Sequence, residues 1–226
     1  HRDLHSFPTR RSSDLEVEFY VDFETINNVF TDHSSLPHVV ETSFIFMIGV
    51  GYVNPETEQW IYKSFVVDTL TAEEERKICY DFSRYILKIS KNYNIENPKC
   101  YHWAHAEQTM WNDAEDRHFL DVRNKYKSQN WNTEKWQWCD LLKVFKDEPI
   151  VLQGCLGFSL KDVAKTMKKH GMIQVDWDSS SSCLDGQGAM VGAWNAYKES
   201  KIRNTSMKNI PQIKEIENTM KLMLKL

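Results

Sequence analysis

The chain has 226 residues, with 28 Lys and Arg against 32 Asp and Glu, and a net charge of −4 at neutral pH. That mildly acidic balance argues against a generic nucleic-acid coat protein, although local basic contacts remain compatible with it. Its 8 Trp, 9 Tyr and 11 Phe supply bulk for one sizeable core and exclude a disordered chain.

The first segment, "HRDLHSFPTRRSSDL" (residues 1–15), has no hydrophobic period. It resembles, residue for residue, the conceptual translation of a common short-read sequencing adapter, and is set aside as non-native. Removing its three Arg and two Asp moves the net charge from −4 to −5. The expectation is therefore a single domain over 16–226, as a fragment that has lost its N-terminal part.

Three apolar, β-branched and aromatic runs follow: "EFYVDFETI" (Glu18 to Ile26), "ETSFIFMIGVGYV" (Glu41 to Val53) and "EQWIYKSFVV" (Glu58 to Val67). The turn chemistry of "NPET" between the last two predicts a hairpin, so three strands open the domain. Thr71 to Tyr93 reads as a helix with Thr71 as N-cap, acids in the first turn, and Ile78, Phe82, Tyr85 and Ile86 on one face. A short strand, Lys99 to Ala104, leads to a helix from about His105. "WQWCDLL" (Trp136 to Leu142) predicts another strand running into a short helix. Ser159 to Gly171 is a helix closed by glycine, with Ser159 and Asp162 as a capping-box-like pair. Helices over Gly186 to Ser200 and Pro211 to Leu226 end the chain, and the serines 179–182 read as a loop. An antiparallel meander followed by strand-helix alternation predicts an α/β fold, a mixed sheet flanked by helices.

The five cysteines, Cys79, Cys100, Cys139, Cys155 and Cys183, include no C-x-x-C pair. They read as reduced and buried, in an intracellular, cytoplasmic protein without a zinc site. No apolar run approaches the roughly 18 residues of a membrane helix, and no signal peptide is visible, so no membrane partner is expected.

The acids carry the chemistry. Asp22 and Glu24, two apart on a strand, point the same way inside an otherwise apolar run. Like charges held that close need a cation or a proton, unless the strand is an edge whose polar face meets water. Glu107 falls in the first turn of its helix on the face of Met110, Trp111 and Ala114, which predicts an inward carboxylate; preference for the positive helix end is the other explanation. In the last helix, Ile213, Ile216, Met220, Met223 and Leu224 form the apolar stripe. Glu217 lies beside it, as a sheet-facing acid or a snorkelling boundary residue, and Glu215 points to solvent. Asp140 and Asp185 are second-tier ligand candidates, each of which could instead cap the helix after it. Lys161, Lys165, Lys168 and Lys169 lie on a helix whose inner face is Leu160, Val163, Ala164 and Met167; they track a phosphate backbone or form a solvated face. Trp103, Trp111, Trp177 and Trp194 can stack on bases or fill the core.

Five pieces in order, "YVDFET", "YHWAHAEQTMW", "WCDLLKVF", "FSLKDVAKTM" and "IKEIENTMKLM", resemble the ribonuclease-H-like 3′-5′ exonuclease domain attached to predicted RecB-type nucleases, a branch of the DEDD superfamily. The likeness runs from about Glu18 to the C-terminus. It implies a ribonuclease-H-like fold and a metal-dependent 3′-5′ exonuclease on single-stranded DNA or DNA ends, with a role such as DNA repair. It also implies four catalytic and metal-binding acids, Asp22, Glu24, Glu107 and Glu217, holding two Mg²⁺ or Mn²⁺ ions. The implied partners are nucleic acid, DNA before RNA, and other domains of a longer nuclease. The family's last motif reads Tyr-Asn-x-x-Asp, whereas this chain has Ile213, Lys214 and Glu217. That departure supports a second expectation, an impaired domain that binds nucleic acid or scaffolds a larger nuclease. A small-molecule-binding α/β protein is disfavoured because no glycine-rich loop follows a strand.

Overall fold

The structure is a computed structural model that describes residues 17–26, 43–119, 136–148, 150–174 and 186–225. The adapter-like segment, Trp177, Cys183, Asp185 and the serine loop lie outside the described residues.

Among the described residues five strands form one mixed sheet: β1 (Glu18–Ile26), β2 (Phe44–Val53), β3 (Trp60–Val66), β4 (Lys99–His102) and β5 (Gln137–Asp140), in the order β3-β2-β1-β4-β5. β1, β2 and β3 pair antiparallel as the meander the sequence predicts, and β4 and β5 add in parallel. Among the described residues six helices flank the sheet: α1 (Ala72–Asn92), α2 (Ala106–Phe119), α3 (Leu141–Asp147), α4 (Leu160–Lys169), α5 (Gly186–Arg203) and α6 (Pro211–Met223). A 3₁₀ turn, Met207–Asn209, precedes α6. This α/β architecture is compatible with a ribonuclease-H-like fold.

The alternation in β1 sorts the two faces. Phe19, Val21 and Phe23 are buried on one side, where the Phe23 ring meets Phe82 of α1 edge-on at 5.9 Å and Trp111 of α2 at 6.0 Å. Each such fully buried ring contributes about 1.5–3 kcal/mol. Glu18, Tyr20, Asp22 and Glu24 occupy the opposite face, which α5 and α6 approach. Gly49 of β2 permits the approach of α6, and Gly51 makes room for the Trp60 ring of the neighbouring strand β3. A Cβ on Gly49 would stand 2.8 Å from Met220 Cγ, and one on Gly51 would stand 2.6 Å from Cη2 of the Trp60 ring. A side chain larger than hydrogen at Gly49 would lift α6 off the sheet, and one at Gly51 would displace the Trp60 ring. Small residues of α5, among them Ala189, Gly192, Ala193 and Ala196, are buried in its close packing.

The caps follow the sequence. Thr71 accepts from the Glu74 amide, Ser159 from the Asp162 amide, and α4 closes on Gly171 in the left-handed region at φ +69°. The last two helices end elsewhere than expected, and the strand expected over Lys99 to Ala104 stops at His102. α5 runs on to Arg203 and α6 stops at Met223. Of the cysteines, Cys79 and Cys100 are buried free thiols, whereas Cys139 and Cys155, expected to be buried, are only half-buried because they sit on an outer strand and in a loop. Among the described residues, no helix is long and apolar enough to cross a membrane.

Candidate functional site

Asp22 and Glu107 reach one cavity from different elements. Asp22 projects from the central strand, and Glu107 from the first turn of α2, just beyond the end of β4. Both line a cavity of about 210 Å³ whose other walls are mostly apolar, including Leu160, Val163 and Met167 of α4 and Met223 of α6. The predicted inward face of α2 is borne out: Glu107 is 7% exposed, with Trp111 and Ala114 fully buried below it.

Each acid keeps one buried oxygen, Asp22 Oδ2 and Glu107 Oε2, without a hydrogen-bond partner among the described residues. Burial, reinforced by the negative charge of Glu107, pushes the Asp22 carboxyl up to about 7, against the opposing pull of the Phe23 amide. His102, buried at the end of β4, brings Nδ1 to 3.4 Å from Glu107 Oε2 and also hydrogen-bonds the Ala104 carbonyl. Because that carbonyl can only accept, Nδ1 carries a proton; Nε2 is buried without a partner.

The other predicted acids are placed differently. Glu24 is half-buried on the Asp22 side of β1, at the last regular pair before a bulge, where Met47 and Ile45 pair with Glu24 and Thr25 and leave Phe46 as the extra residue. Glu217 does face the sheet. Its Oε1 accepts a short hydrogen bond from Ser64 Oγ on β3, and Tyr62 Oη lies 3.4 Å from its carbonyl. Asp22, Gly49 and Ser64 share one register row, so Ser64 stands two strands from Asp22, roughly 10 Å. Met220 fills the space over Gly49 between them. Tyr62 nevertheless senses three acids of this face: burial and then the charges of Glu217, Asp22 and Glu24 hold its phenol well above the usual range. Glu215, expected in solvent, is half-buried.

Asp140 serves the structural alternative. Its Oδ1 accepts from the Leu142 and Lys143 amides as the α3 cap and from Ala104 N at 2.9 Å, latching the β4–α2 turn. Lys165, Lys168 and Lys169 are exposed and Lys161 is half-buried, on the side of α4 away from the cavity. Trp111 is core, while Trp103 donates to the Phe158 carbonyl at the cavity rim and Trp194 stacks on Tyr197.

Two orphaned carboxylate oxygens facing one small cavity are the donor chemistry a hard divalent cation takes. Among the described residues, however, no three His, Cys, Asp or Glu side chains gather closely enough to hold one ion. The pair fits a cation, and the full four-acid set is not drawn together in this arrangement. The sequence reading did not single out Tyr62 or Ser64, although strict alternation along β3 puts both on the face of Asp22. No protein-family model matches the chain, and no curated protein is significantly similar to it.

Proposed function

We propose that this chain is a divalent-cation-dependent hydrolase of phosphodiester bonds on a ribonuclease-H-like fold, acting as a 3′-5′ exonuclease on single-stranded DNA or DNA ends. The observation that carries this reading is the pair of buried oxygens on Asp22 and Glu107 that have no hydrogen-bond partner among the described residues. Two like charges in an apolar cavity are costly until a cation or a proton neutralises them.

Asp22 and Glu107 would be the inner ligands of Mg²⁺ or Mn²⁺, with Glu24 and a Glu217 released from Ser64 completing a two-ion site. Bound ions would supply Lewis-acid stabilisation of the phosphate and a water ionised at neutral pH. The chain supplies the rest. Asp22 must lose its proton to bind a cation, so metal affinity rises with pH through about 7. His102 flanks the Glu107 carboxylate on the β4 side, with Nδ1 at 3.4 Å and turned to the Ala104 carbonyl. Tyr62 keeps its proton and is a donor beside Glu217. The apolar walls reduce bulk water and strengthen each charge interaction inside.

A second reading rests on a specific observation, the engagement of Glu217 by Ser64 together with the altered last motif. In it the domain binds nucleic acid without cutting it. Cleavage of a 5′-labelled single strand with Mn²⁺ separates the two. The exonuclease reading expects a ladder shortening from the 3′ end, reduced about a hundredfold or more by both Asp22→Asn and Glu217→Ala. Retention of activity by Glu217→Ala would confine the site to Asp22 and Glu107. Absence of any ladder in folded, Mn²⁺-bound protein would favour the second reading.

A further inference from the structure

A second concavity, about 930 Å³, wraps around β3, the outer strand of the sheet among the described residues, from α1 on one face to α6 on the other. Its walls carry six cations, Lys63, Lys77, Arg84, Lys88, Lys91 and Lys208, against two acids, Asp81 and Glu217. On a chain of net charge −4 this is a strong local reversal of sign. Two of the cations are neutralised at home: Lys77 pairs with Asp68 and Glu74, and Lys208 pairs with Asp68. Lys63, Arg84, Lys88 and Lys91 have no ion-pair partner among the described residues. Lys63 Nζ instead lies over the rings of Phe65 and Tyr85, 4.9 and 4.7 Å from their centroids, which holds the charge in place without cancelling it.

Arg84, Lys88 and Lys91 follow the i, i+4, i+7 spacing, so they form one stripe along α1 that rises about 10 Å. Walls of low dielectric focus such a field into the groove. The groove also reaches Glu217, the acid that Ser64 and Tyr62 hold on the Asp22 side of the sheet.

We infer that this groove binds the phosphate backbone of a single nucleic-acid strand and leads it toward the acids. The inference rests on the proposed hydrolase activity and assigns its polyanion track to the α1–β3 groove rather than to the lysines of α4. An acidic peptide added to the β3 edge is the competing occupant. It is disfavoured because a backbone-paired strand would be read along β3, whereas the unpaired cations run along the helix beside it. Contacts of this kind grip phosphates and read no bases, so binding is independent of sequence.

The test is fluorescence anisotropy of a labelled oligothymidylate with the full chain in EDTA, which removes cleavage from the measurement. Four phosphate contacts predict a slope of log Kobs against log salt of about −3. Replacing Arg84, Lys88 and Lys91 together by Ala is expected to lower affinity about tenfold or more and to flatten the slope by about 2. Lys88→Glu alone is expected to weaken binding in the same direction, and Lys161→Ala with Lys165→Ala and Lys168→Ala to leave it unchanged. Wild-type binding by the α1 variants, loss confined to the α4 variant, or tighter binding of polyglutamate than of the oligonucleotide would each overturn the inference. Failure of the hydrolase reading shows separately, in the Mn²⁺ cleavage ladder.

Discussion

Asp22 is a carboxyl whose charge the fold resists. Its pKa stands at about 7 in the folded chain against an ordinary 3.8, so between those values the folded state holds a proton that the unfolded state has released. Stability therefore falls as pH rises across that window and levels off above it. Asp22→Asn removes the titration. The variant is expected to match the wild type near pH 4 and to melt at a higher temperature than it at pH 8, as thermal unfolding across pH would record. An ion bound at Asp22 and Glu107 reverses that balance: Mn²⁺ is expected to raise the wild-type Tm at pH 8, to raise it less at pH 6, where proton and metal compete, and to leave Asp22→Asn nearly unmoved. A Tm for Asp22→Asn below the wild type at pH 8 without metal would mean that Asp22 is stabilised by a partner and is not an unsatisfied acid.

α6 reaches the sheet only because β2 offers Gly49, and the contact falls on Met220, one turn beyond Glu217. Gly49→Ala drives a methyl against the middle of the Met220 side chain and toward Leu224. It is expected to cost about 1–3 kcal/mol in urea unfolding and to loosen Glu217 from Ser64. The stripe of Ile213, Ile216 and Met220 was legible from helical spacing, and so were the inward turn of Glu107 above Trp111 and the same-side placement of Asp22 and Glu24. Those readings depend only on local periods of 3.6 and 2. What spacing could not reveal depends on register across the hairpin. Ser64 meets Glu217 because β2 and β3 align Gly49 with Ser64, and no local pattern announces that row. The groove escaped for a similar reason. Its cations come from β3, α1 and the turn before α6, while α4 shows a denser lysine run in sequence. Asp140 was ambiguous between ligand and cap until the Ala104 amide was seen to share its oxygen.

The two ends of α2 join the site to the frame of the molecule. At its start Glu107 faces Asp22; near its end Arg117 and His118 close on Glu75, a fully buried acid of α1. Arg117 bonds both Glu75 oxygens, at 2.8 and 2.9 Å, and the Ser43 carbonyl, and the Ile45 amide donates to Glu75 Oε1 at 2.7 Å. One carboxylate thereby ties α1, α2 and the entry to β2 together. Unlike Asp22, it is fully partnered, so removing one member leaves the remainder buried without compensation. Arg117→Met is expected to destabilise the fold by about 3–5 kcal/mol, and adding Glu75→Gln to that variant to recover part of the loss, because the stranded charge is then gone. Independent contributions would instead make the two losses sum. If α2 is the lever that holds Glu107 over Asp22, Arg117→Met should also weaken Mn²⁺ binding, titrated at a temperature where the variant is still folded. An unchanged Mn²⁺ response in that variant would show that the first turn of α2 is positioned by Trp111 and Ala114 alone, and that the brace serves stability without reaching the site.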